Sequence, residues 1–366
     1  MAELRRATDL LADLVGRESP SGDPARLEAL AGRMAALLRA AGATAEVLPG
    51  GHLLARYADR PGPYVLVLGH LDTVWPVGRL AQAPFTVVGD QATGPGVFDM
   101  KGALVSLLCA LEALRRRRRQ PAHPIRILLT ADEEIGSPAG GVLVAEQAHG
   151  ALAVLALEPP LPDGRFKVGR RGVARVRLEV TGRAAHAGLD RASGVSATEE
   201  LVDQLTRLAA RVPATDDYSI NVGTLVGGTR ANVVAERAQA ELGLRFADPA
   251  AEGRLFAEFD QLRAVRPGAQ VSYQVLSHRP AWEPSSAASL SAHVCRIAAT
   301  IGEVAQAGVS PGAGDANLTG SRGIPTVDGL GPRGHGAHAP DETVQLSSIL
   351  MRARLLTEIL ARELPR

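Results

Sequence analysis

The sequence predicts an α/β protein in which a mainly parallel sheet is sandwiched by helices, with a smaller α+β domain inserted into the chain. Two patterns predict this fold. Continuous apolar runs such as PYVLVLG at 63–69 alternate with helical patterns, which is typical of βαβ units and of strands buried on both faces. After about residue 168 the strands alternate apolar and polar residues, which is typical of a sheet with one face in water. The length of 366 residues also favours two domains.

The first part of the chain combines helical segments with three buried strands. Apolar residues recur at helical spacing in 2–16 and 24–41, with the turn signal SPSGDP between them. The elements that follow are predicted in this order: a strand at 63–69, a long helix at about 101–118, the strand IRILLTA, a helix near 139–149 and the strand ALAVLAL. This alternation predicts that the strands are mainly parallel and are covered by helices.

The inserted domain is predicted as βαββαβ, which resembles the split-βαβ arrangement. Its elements are the strand VARVRLEVTG, a helix at about 195–211, strands near 219–226 and 236–246, a helix near 249–264 and a strand at 270–276. After Pro284 the first pattern returns, with a helix near 286–302, the strand-like PTVDGLG and a closing helix at 345–363. We therefore predict a discontinuous first domain, 1–168 and 284–366, around an inserted domain at 169–283.

Charge and cysteine content exclude several classes of protein. Lys and Arg number 40 against 39 Asp and Glu, and the net charge of +1 is spread out, which disfavours nucleic-acid and membrane partners. The arginine run at 115–119 follows an amphipathic segment and is interpreted as a solvated helix end, with a phosphate-binding patch as the alternative. Cys109 and Cys295 have no CxxC partner, which excludes a thiolate metal site and a disulfide framework. The N-terminal segment carries acids and no run reaches the ~20 apolar residues of a membrane span, so we expect a soluble, cytoplasmic protein without a leader.

Side chains of the metal-ligand type follow the predicted buried strands. They are His70 and Asp72 after the first strand, Glu133 and Glu134 after IRILLTA, and Glu158 after ALAVLAL, with Asp99 in GPGVFDMKG and His338 in GAHAPDE elsewhere. Ligands of parallel sheets bind outside the carboxyl ends of the strands. Because an unpaired buried carboxylate is costly, the repeated pattern predicts a shared cation.

The number of ligands fits two divalent cations, most simply Zn²⁺, with Co²⁺ or Mn²⁺ as alternatives. Two ions about 3.5–4 Å apart need a bridging carboxylate. Asp99 would lie between a first ion held by His70 and Glu158 and a second held by Glu134 and His338.

Two further acids complete this hypothesis. Asp72 would accept the second ring N–H of His70 and orient the ligand. Glu133 would act as a general base. Each residue also has a simpler interpretation: His70 as a hydrogen-bonded core histidine, the Glu133–Glu134 pair as a solvated loop, and Asp99 as a helix N-cap.

Six segments together resemble a known family. They are GHLDTVWPVGRLAQAPFTVVGDQATGPGVFDMKGA, TADEEIGS, LALEPP, VTGRAAHAG, GDANLTGSRGIPTVDGLGP and GAHAPDE, and they span about 65–345. The family is that of the di-zinc peptidases, which includes glutamate carboxypeptidase (carboxypeptidase G), acetylornithine deacetylase, succinyl-diaminopimelate desuccinylase and the aminoacylases. The spacing is most similar to the glutamate carboxypeptidase branch.

The resemblance implies a zinc-peptidase-like catalytic domain, an inserted domain that dimerises and closes as a lid, and the ligand assignment given above. It also implies that His186 reaches the partner subunit's site to stabilise an oxyanion, and that Asn232 and Arg245 bind the substrate's free carboxylate. An arginine fork suits that bidentate contact. The family pattern His-x-x-Asp-Glu selects His338 over the nearby His335. Glu158 is Asp in part of the family, so its type does not fix the substrate.

We therefore expect a homodimeric, metal-dependent hydrolase that cleaves an amide bond next to a free α-carboxylate of a small peptide, with C-terminal glutamate as a candidate leaving group. The alternative within the family is an N-acyl amino acid deacylase or aminoacylase. An alternative of another class is a catalytically inactive homologue that binds a small molecule. A metal-dependent phosphoesterase is disfavoured, because it would need more cationic groups than Arg245 near the site.

Overall fold

The computed structural model describes residues 2–365. The chain divides into two compact units. The larger unit extends to Gly169 and continues through Glu283–Ser310 and from Gly314 onward. The inserted unit comprises Arg170–Trp282 and Pro311–Ala313.

The N-terminal part of the larger unit alternates helices and strands. Its elements are α1 (Ala2–Val15), α2 (Pro24–Ala41), β1 (Thr44–Val47), β2 (Leu53–Tyr57), β3 (Tyr64–His70), α3 (Arg79–Gln82), β4 (Thr86–Val88), β5 (Gln91–Thr93), α4 (Gly102–Arg116), β6 (Ile125–Thr130), α5 (Gly140–Ala148), β7 (Ala151–Ala156) and β8 (Phe166–Arg170). Helix α2 begins where the Asp23 side chain accepts the backbone N–H of Arg26, with Pro24 in the first turn.

The inserted unit contains β9 (Gly172–Thr181), β10 (Ala185–His186), α6 (Ala197–Arg211), β11 (Tyr218–Gly227), β12 (Val233–Val234), β13 (Arg237–Phe246), α7 (Pro249–Asp260) and β14 (Gln270–Arg279). Its main sheet has the antiparallel order β11-β13-β9-β14. Apolar side chains of β9 and β13 alternate toward a core that includes Leu201 of α6 and Phe259 of α7. The predicted alternation in these strands therefore reflects one covered face.

The chain returns to the larger unit with α8 (Ala288–Thr300), β15 (Ala307–Ser310), α9 (Ala316–Gly320), β16 (Thr326–Val327), β17 (Gly334–His335), β18 (Thr343–Gln345) and α10 (Leu346–Leu360). The central sheet has the order β1-β2-β6-β3-β7-β16. Strands β6, β3, β7 and β16 are parallel, and β1 and β2 add an antiparallel edge. The predicted mainly parallel α/β fold is confirmed.

The parallel arrangement positions the candidate site. Strand β3 is buried along its whole length, as its continuous apolar run predicted. Its neighbours β6 and β7 run in the same direction, so the segments that follow the three strands emerge at one edge. Within residues 2–365, no helix combines the length and apolar character that crossing a bilayer requires.

Candidate metal centre

His70 is the last residue of β3, and its side chain is only 2% exposed. Its Nδ1 lies 3.0 Å from the backbone carbonyl oxygen of Asp72 and 3.4 Å from Asp72 Oδ1. Both oxygens accept hydrogen bonds, so Nδ1 carries a proton. In the neutral ring, Nε2 then presents a lone pair toward the cluster of acids, which is the state a metal ligand requires.

Asp99 lies between the two histidines. Its Oδ1 is 3.1 Å from His70 Nε2, and its Oδ2 is 3.6 Å from His338 Nε2. Each oxygen therefore faces a different imidazole. Helix α4 starts after Asp99 and has no side-chain cap, so the interpretation of Asp99 as an N-cap is wrong.

Each histidine also faces a glutamate. Glu158 follows β7, and its Oε1 lies 3.6 Å from His70 Nε2. Glu134 lies on the turn after β6, and its Oε2 is 3.0 Å from His338 Nε2. The Glu134 side chain is 6% exposed, which excludes a solvated loop. The structure thus brings the five predicted ligands together as two pairs joined by Asp99.

Two overlapping groups have ligand atoms within 4.8 Å of one another: His70, Asp99 and Glu134, and His70, Glu133 and Glu158. Imidazole and carboxylate are the donors that zinc and similar divalent cations prefer. The donor set therefore fits two such cations. His338 is in neither group, but its Nε2 lies 3.0 Å from Glu134 Oε2 and 3.6 Å from Asp99 Oδ2, whereas His335 is exposed on β17.

Asp72 connects the His70 strand end to the turn that follows β6. It is fully buried, and its carboxylate accepts the backbone N–H groups of Glu133 and Glu134, each at 3.1 Å, and the hydroxyl of Ser21 at 2.7 Å. Burial would raise the pKa of Asp72, but the hydrogen bonds from His70 and Ser21 bring the pKa below its usual value.

Glu133 is a buried acid in the same cluster. It begins the short 3-10 turn Glu133–Ile135, which follows β6 after two residues. The turn directs both adjacent glutamates to one centre, whereas a straight strand would point them to opposite faces. Because Asp72 accepts both backbone N–H groups, this turn is held against His70.

Neighbouring carboxylates raise the pKa values of both His70 and His338. Burial alone would lower the pKa of His70, but the carboxylates of Asp72 and Asp99 raise it well above its usual value. The hydrogen bond to Glu134 raises the pKa of His338 to about 9. The carboxylates around these two rings stabilise positive charge. The same negative surroundings favour the binding of cations in this pocket.

His338 occupies a turn in the return segment. Its φ of 64° is a left-handed conformation, which is uncommon for a residue with a side chain. Residues held in such conformations occur often at functional sites, where the surrounding structure fixes them. The segment is closed by hydrogen bonds from Ala339 N–H to Gly336 O and from Glu342 N–H to Ala339 O.

Sequence reasoning did not single out Glu342. This buried residue accepts four hydrogen bonds: from the backbone N–H of Gly96 at 2.8 Å, of Phe98 at 2.9 Å and of Asp99 at 3.0 Å, and from the indole N–H of Trp75 at 2.7 Å. Only its place in the motif GAHAPDE hinted at a role, because backbone partners leave no trace in a sequence.

His186 and Asn232 lie side by side in the inserted unit. The backbone carbonyl oxygen of Asn232 accepts from the backbone N–H of Ala187 at 3.0 Å. The Nδ1 of His186 accepts the backbone N–H groups of Gly188 and Leu189 at 3.2 and 3.1 Å. A neutral ring must then carry its proton on Nε2, so exposed His186 is a hydrogen-bond donor.

Arg245 does not lie beside His186 and Asn232 within the inserted unit. It lies opposite Val173 near the end of β13, whereas the other end of this strand, Arg237, lies opposite Thr181 next to the β10–β12 region. The two ends are eight residues apart, or about 26 Å at ~3.3 Å per residue. Its assignment rests on the sequence motif alone.

The fold and this ligand set define a metal-dependent hydrolase with its centre at the carboxyl ends of parallel strands. A sequence model of peptidase family M20/M25/M40 matches residues 66–362, and the chain belongs to this family. The protein is therefore an enzyme of the peptidase and amidohydrolase type, as the sequence resemblance predicted.

Individual relatives cover almost the whole chain. The chain is 30% identical to carboxypeptidase G2 of Pseudomonas sp. (strain RS-16), covering 95% of this chain and 88% of the relative. It is also 30% identical to succinyl-diaminopimelate desuccinylase of Gluconacetobacter diazotrophicus, with 92% and 91% covered. The YXEP protein of Bacillus subtilis, described as a dinuclear metal-binding peptidase of the M20 family, shares the fold with a TM-score of 0.68, 18% identity and 98% of each chain covered.

Proposed function

We propose that the enzyme hydrolyses an amide bond next to a free α-carboxylate in a small peptide or N-acyl amino acid, and releases an amino acid. The observation that carries this proposal is the pair of histidine–glutamate sites joined by Asp99, with Glu133 buried beside them. The two 30% identical relatives are named a carboxypeptidase and a desuccinylase, and both names describe hydrolysis of an amide bond.

In this proposal His70 and Glu158 hold one divalent cation, Glu134 and His338 hold the second, and Asp99 is shared. Zn²⁺ is the first candidate, and the donor types also suit Co²⁺ and Mn²⁺. When bound, such a pair supplies Lewis-acid polarisation of the carbonyl and a lowered pKa for a water. Asp72 orients the ring of His70, which fixes the direction of Nε2.

Glu133 moves the proton. Its carboxylate shares a group with His70 and Glu158, so it can accept a proton from the attacking water. The same carboxyl group then delivers that proton to the nitrogen of the leaving amine. Anchoring of its backbone N–H on Asp72 keeps the Glu133 side chain at the centre.

His186 and Asn232 are proposed to act on the substrate. A neutral His186 with its proton on Nε2 is a donor suited to the oxygen that becomes negative as water adds to the carbonyl. Asn232 is its neighbour, and its amide could bind the substrate's carboxylate. Arg245 remains a predicted partner of that carboxylate.

The proposal is tested by measuring amino acid release from a panel of dipeptides, glutamate conjugates and other N-acyl amino acids. Turnover should need added Zn²⁺, Co²⁺ or Mn²⁺ and should stop with a chelator. A preference for glutamate as the leaving group would favour carboxypeptidase activity. Release of many different amino acids from substrates with one preferred acyl group would favour the deacylase activity that the desuccinylase relative suggests. Lack of turnover with every substrate and metal would contradict the proposal.

The two nearby histidines provide a matched pair of variants. Replacing His338 with Ala should weaken the binding of one cation, because His338 is proposed to be a direct ligand. The loss should exceed the roughly 10–100-fold reduction in affinity that follows when a residue that only orients a ligand is changed. Replacing exposed His335 with Ala should leave cation binding unchanged. Calorimetric titration of the two metal-free variants measures the cation affinity of each. Equal losses of affinity in the two variants would contradict the assignment of His338 as a ligand.

We also propose that the inserted unit forms a homodimer through β11. This is an edge strand of its sheet, and residues 221–227 are all exposed, including Leu225 at 53% and Val226 at 60%. A long, apolar and uncovered edge strand is a template for pairing with another chain. The opposite edge, β14, exposes Val275 at 41%.

Replacing Leu225 with Glu should convert the dimer to a monomer. Each subunit would then bring one negative charge into the apolar contact, and the two charges would repel each other. Replacing Val275 with Glu on β14 is the control and should leave the oligomeric state unchanged. Sedimentation velocity of both variants measures the state directly. A wild-type monomer at micromolar concentration, or a Leu225→Glu dimer, would contradict this assignment.

A further inference from the structure

We propose that Glu342 is a positioning residue that fixes the Asp99 carboxylate between the two histidine–glutamate pairs. It touches neither a proposed cation nor a substrate, and it acts through the backbone of 96–99. This inference rests on the proposed function, because it assumes that Asp99 is a shared metal ligand.

The segment that carries Asp99 has little support from regular structure. Asp99 and Met100 have non-helical backbone angles inside the irregular turn Val97–Lys101. Three backbone N–H groups of this region, those of Gly96, Phe98 and Asp99, all donate to the Glu342 carboxylate. Without that acceptor, three buried or part-buried donors would lack a partner, which is strongly unfavourable.

Each carboxylate oxygen of Glu342 serves two donors. Oε1 accepts from Phe98 and Asp99, and Oε2 accepts from Gly96 and the indole of Trp75. A group with four donors around it must offer only acceptors, which an ionised carboxylate does and an amide does not. Charge-assisted bonds of this kind are shorter and stronger than neutral ones.

Close packing leaves the segment little freedom to adopt another path. Gly96 has a φ of +76°, and a Cβ at this position would lie 2.8 Å from Thr73 Cγ2. The aliphatic part of buried Lys101 would lie 3.5 Å from the same Cβ. The ammonium of Lys101 donates to the carbonyl oxygen of Arg17 at 2.9 Å and provides a nearby positive charge for Glu342.

Glu342 joins three segments that each carry part of the centre. Trp75 belongs to the loop that follows His70 and Asp72, and 96–99 carries Asp99. Glu342 itself ends the turn that contains His338, immediately before β18 pairs with β5. One carboxylate therefore sets the distance between the bridging acid and the second histidine.

The experiment compares metal binding by two variants that remove the same kind of contact. Glu342→Gln removes half of the acceptors around the Asp99 segment. Glu200→Gln is the matched control, because Glu200 is fully buried in the inserted unit and its carboxylate also accepts two backbone N–H groups, from Val265 and Arg266. Both variants are expected to unfold at a lower temperature, so stability alone does not distinguish them.

Calorimetric titration of the metal-free proteins with Zn²⁺ or Co²⁺ does distinguish them. Glu342→Gln should bind both cations about 10–100-fold more weakly, the usual effect of losing a residue that orients a ligand, and Glu200→Gln should match the wild type. Unchanged affinity in folded Glu342→Gln would overturn the inference.

If Glu342→Gln does not fold, Glu342→Asp decides, since it keeps the charge but cannot reach all four donors. Weaker cation binding by Glu342→Asp supports the inference, and unchanged binding overturns it. A wild-type protein that binds no divalent cation would instead contradict the proposed function itself, and the two failures are thereby separated.

Discussion

Replacing Glu133 with Gln is expected to reduce turnover by about 10²–10⁴-fold, the range that a general acid–base contributes, while both cations remain bound. Gln has nearly the same shape but cannot accept the proton of the attacking water. The backbone N–H of residue 133 still donates to Asp72, so the turn that carries Glu134 should keep its place. KM should change little, because the lost interaction acts in the chemical step.

Glu146→Gln is the control for this variant. Glu146 is an exposed acid on the nearby helix α5, and its replacement should leave kcat unchanged. The measurement is kcat at saturating substrate, together with the metal content of each variant. Full activity in Glu133→Gln would show that another group moves the proton, and loss of metal would show that Glu133 is a ligand.

Replacing Asp99 with Asn should have a still larger effect, because one substitution alters the ligand that the two cations are proposed to share. Asn can offer one oxygen, and its amide nitrogen is a donor that cannot bind a cation. We expect at least one cation to bind more than about 100-fold more weakly, beyond the usual loss for a residue that only orients a ligand, and turnover to fall at least as far as in Glu133→Gln.

Asp90→Asn controls for loss of an aspartate in the same unit. The Asp90 carboxylate accepts the backbone N–H of Ser347 at 2.8 Å and the hydroxyl of Ser347 at 2.5 Å, so this variant loses stabilising contacts away from the cluster. Metal content by mass spectrometry and turnover are measured for both. Two tightly bound cations in Asp99→Asn would show that Asp99 is not shared between them.

The sequence predicts those elements whose position follows from one strong local pattern. Strand β3 is a run of buried apolar residues and ends at His70, so both the strand and the candidate ligand at its end could be predicted. The same holds for β6 and β7, whose ends precede the Glu133–Ile135 turn and Glu158. Hydrophobic burial fixes these strands, and parallel pairing then brings their ends together.

Short elements could not be predicted in this way. Strands β4, β5, β17 and β18 have two or three residues each, and they form one four-stranded sheet in the larger unit. No periodic pattern exists over such lengths. β4 pairs with β5 and β17 with β18, but these two pairs of strands meet through partners that are distant in sequence, as when Thr343 pairs with Thr93. Only the folded chain therefore shows that they position the turn with His338.

The finer geometry of the centre also depends on contacts that a sequence does not record. The 3-10 turn that directs both Glu133 and Glu134 inward is held by backbone N–H groups that donate to Asp72. Arg245 lies opposite Val173, at the end of β13 away from Arg237 and Thr181. Alternation of apolar residues specifies which face each residue takes, but not its partner on the neighbouring strand.

The central claim is that two divalent cations lie at the ends of the parallel strands and share Asp99. Anomalous diffraction from crystals of the zinc-loaded protein tests it most directly. The account predicts two zinc peaks, one bound by His70 and Glu158 and one by Glu134 and His338, with an oxygen of Asp99 on each. A single peak, or peaks bound by other residues with Asp99 uncoordinated, would contradict it.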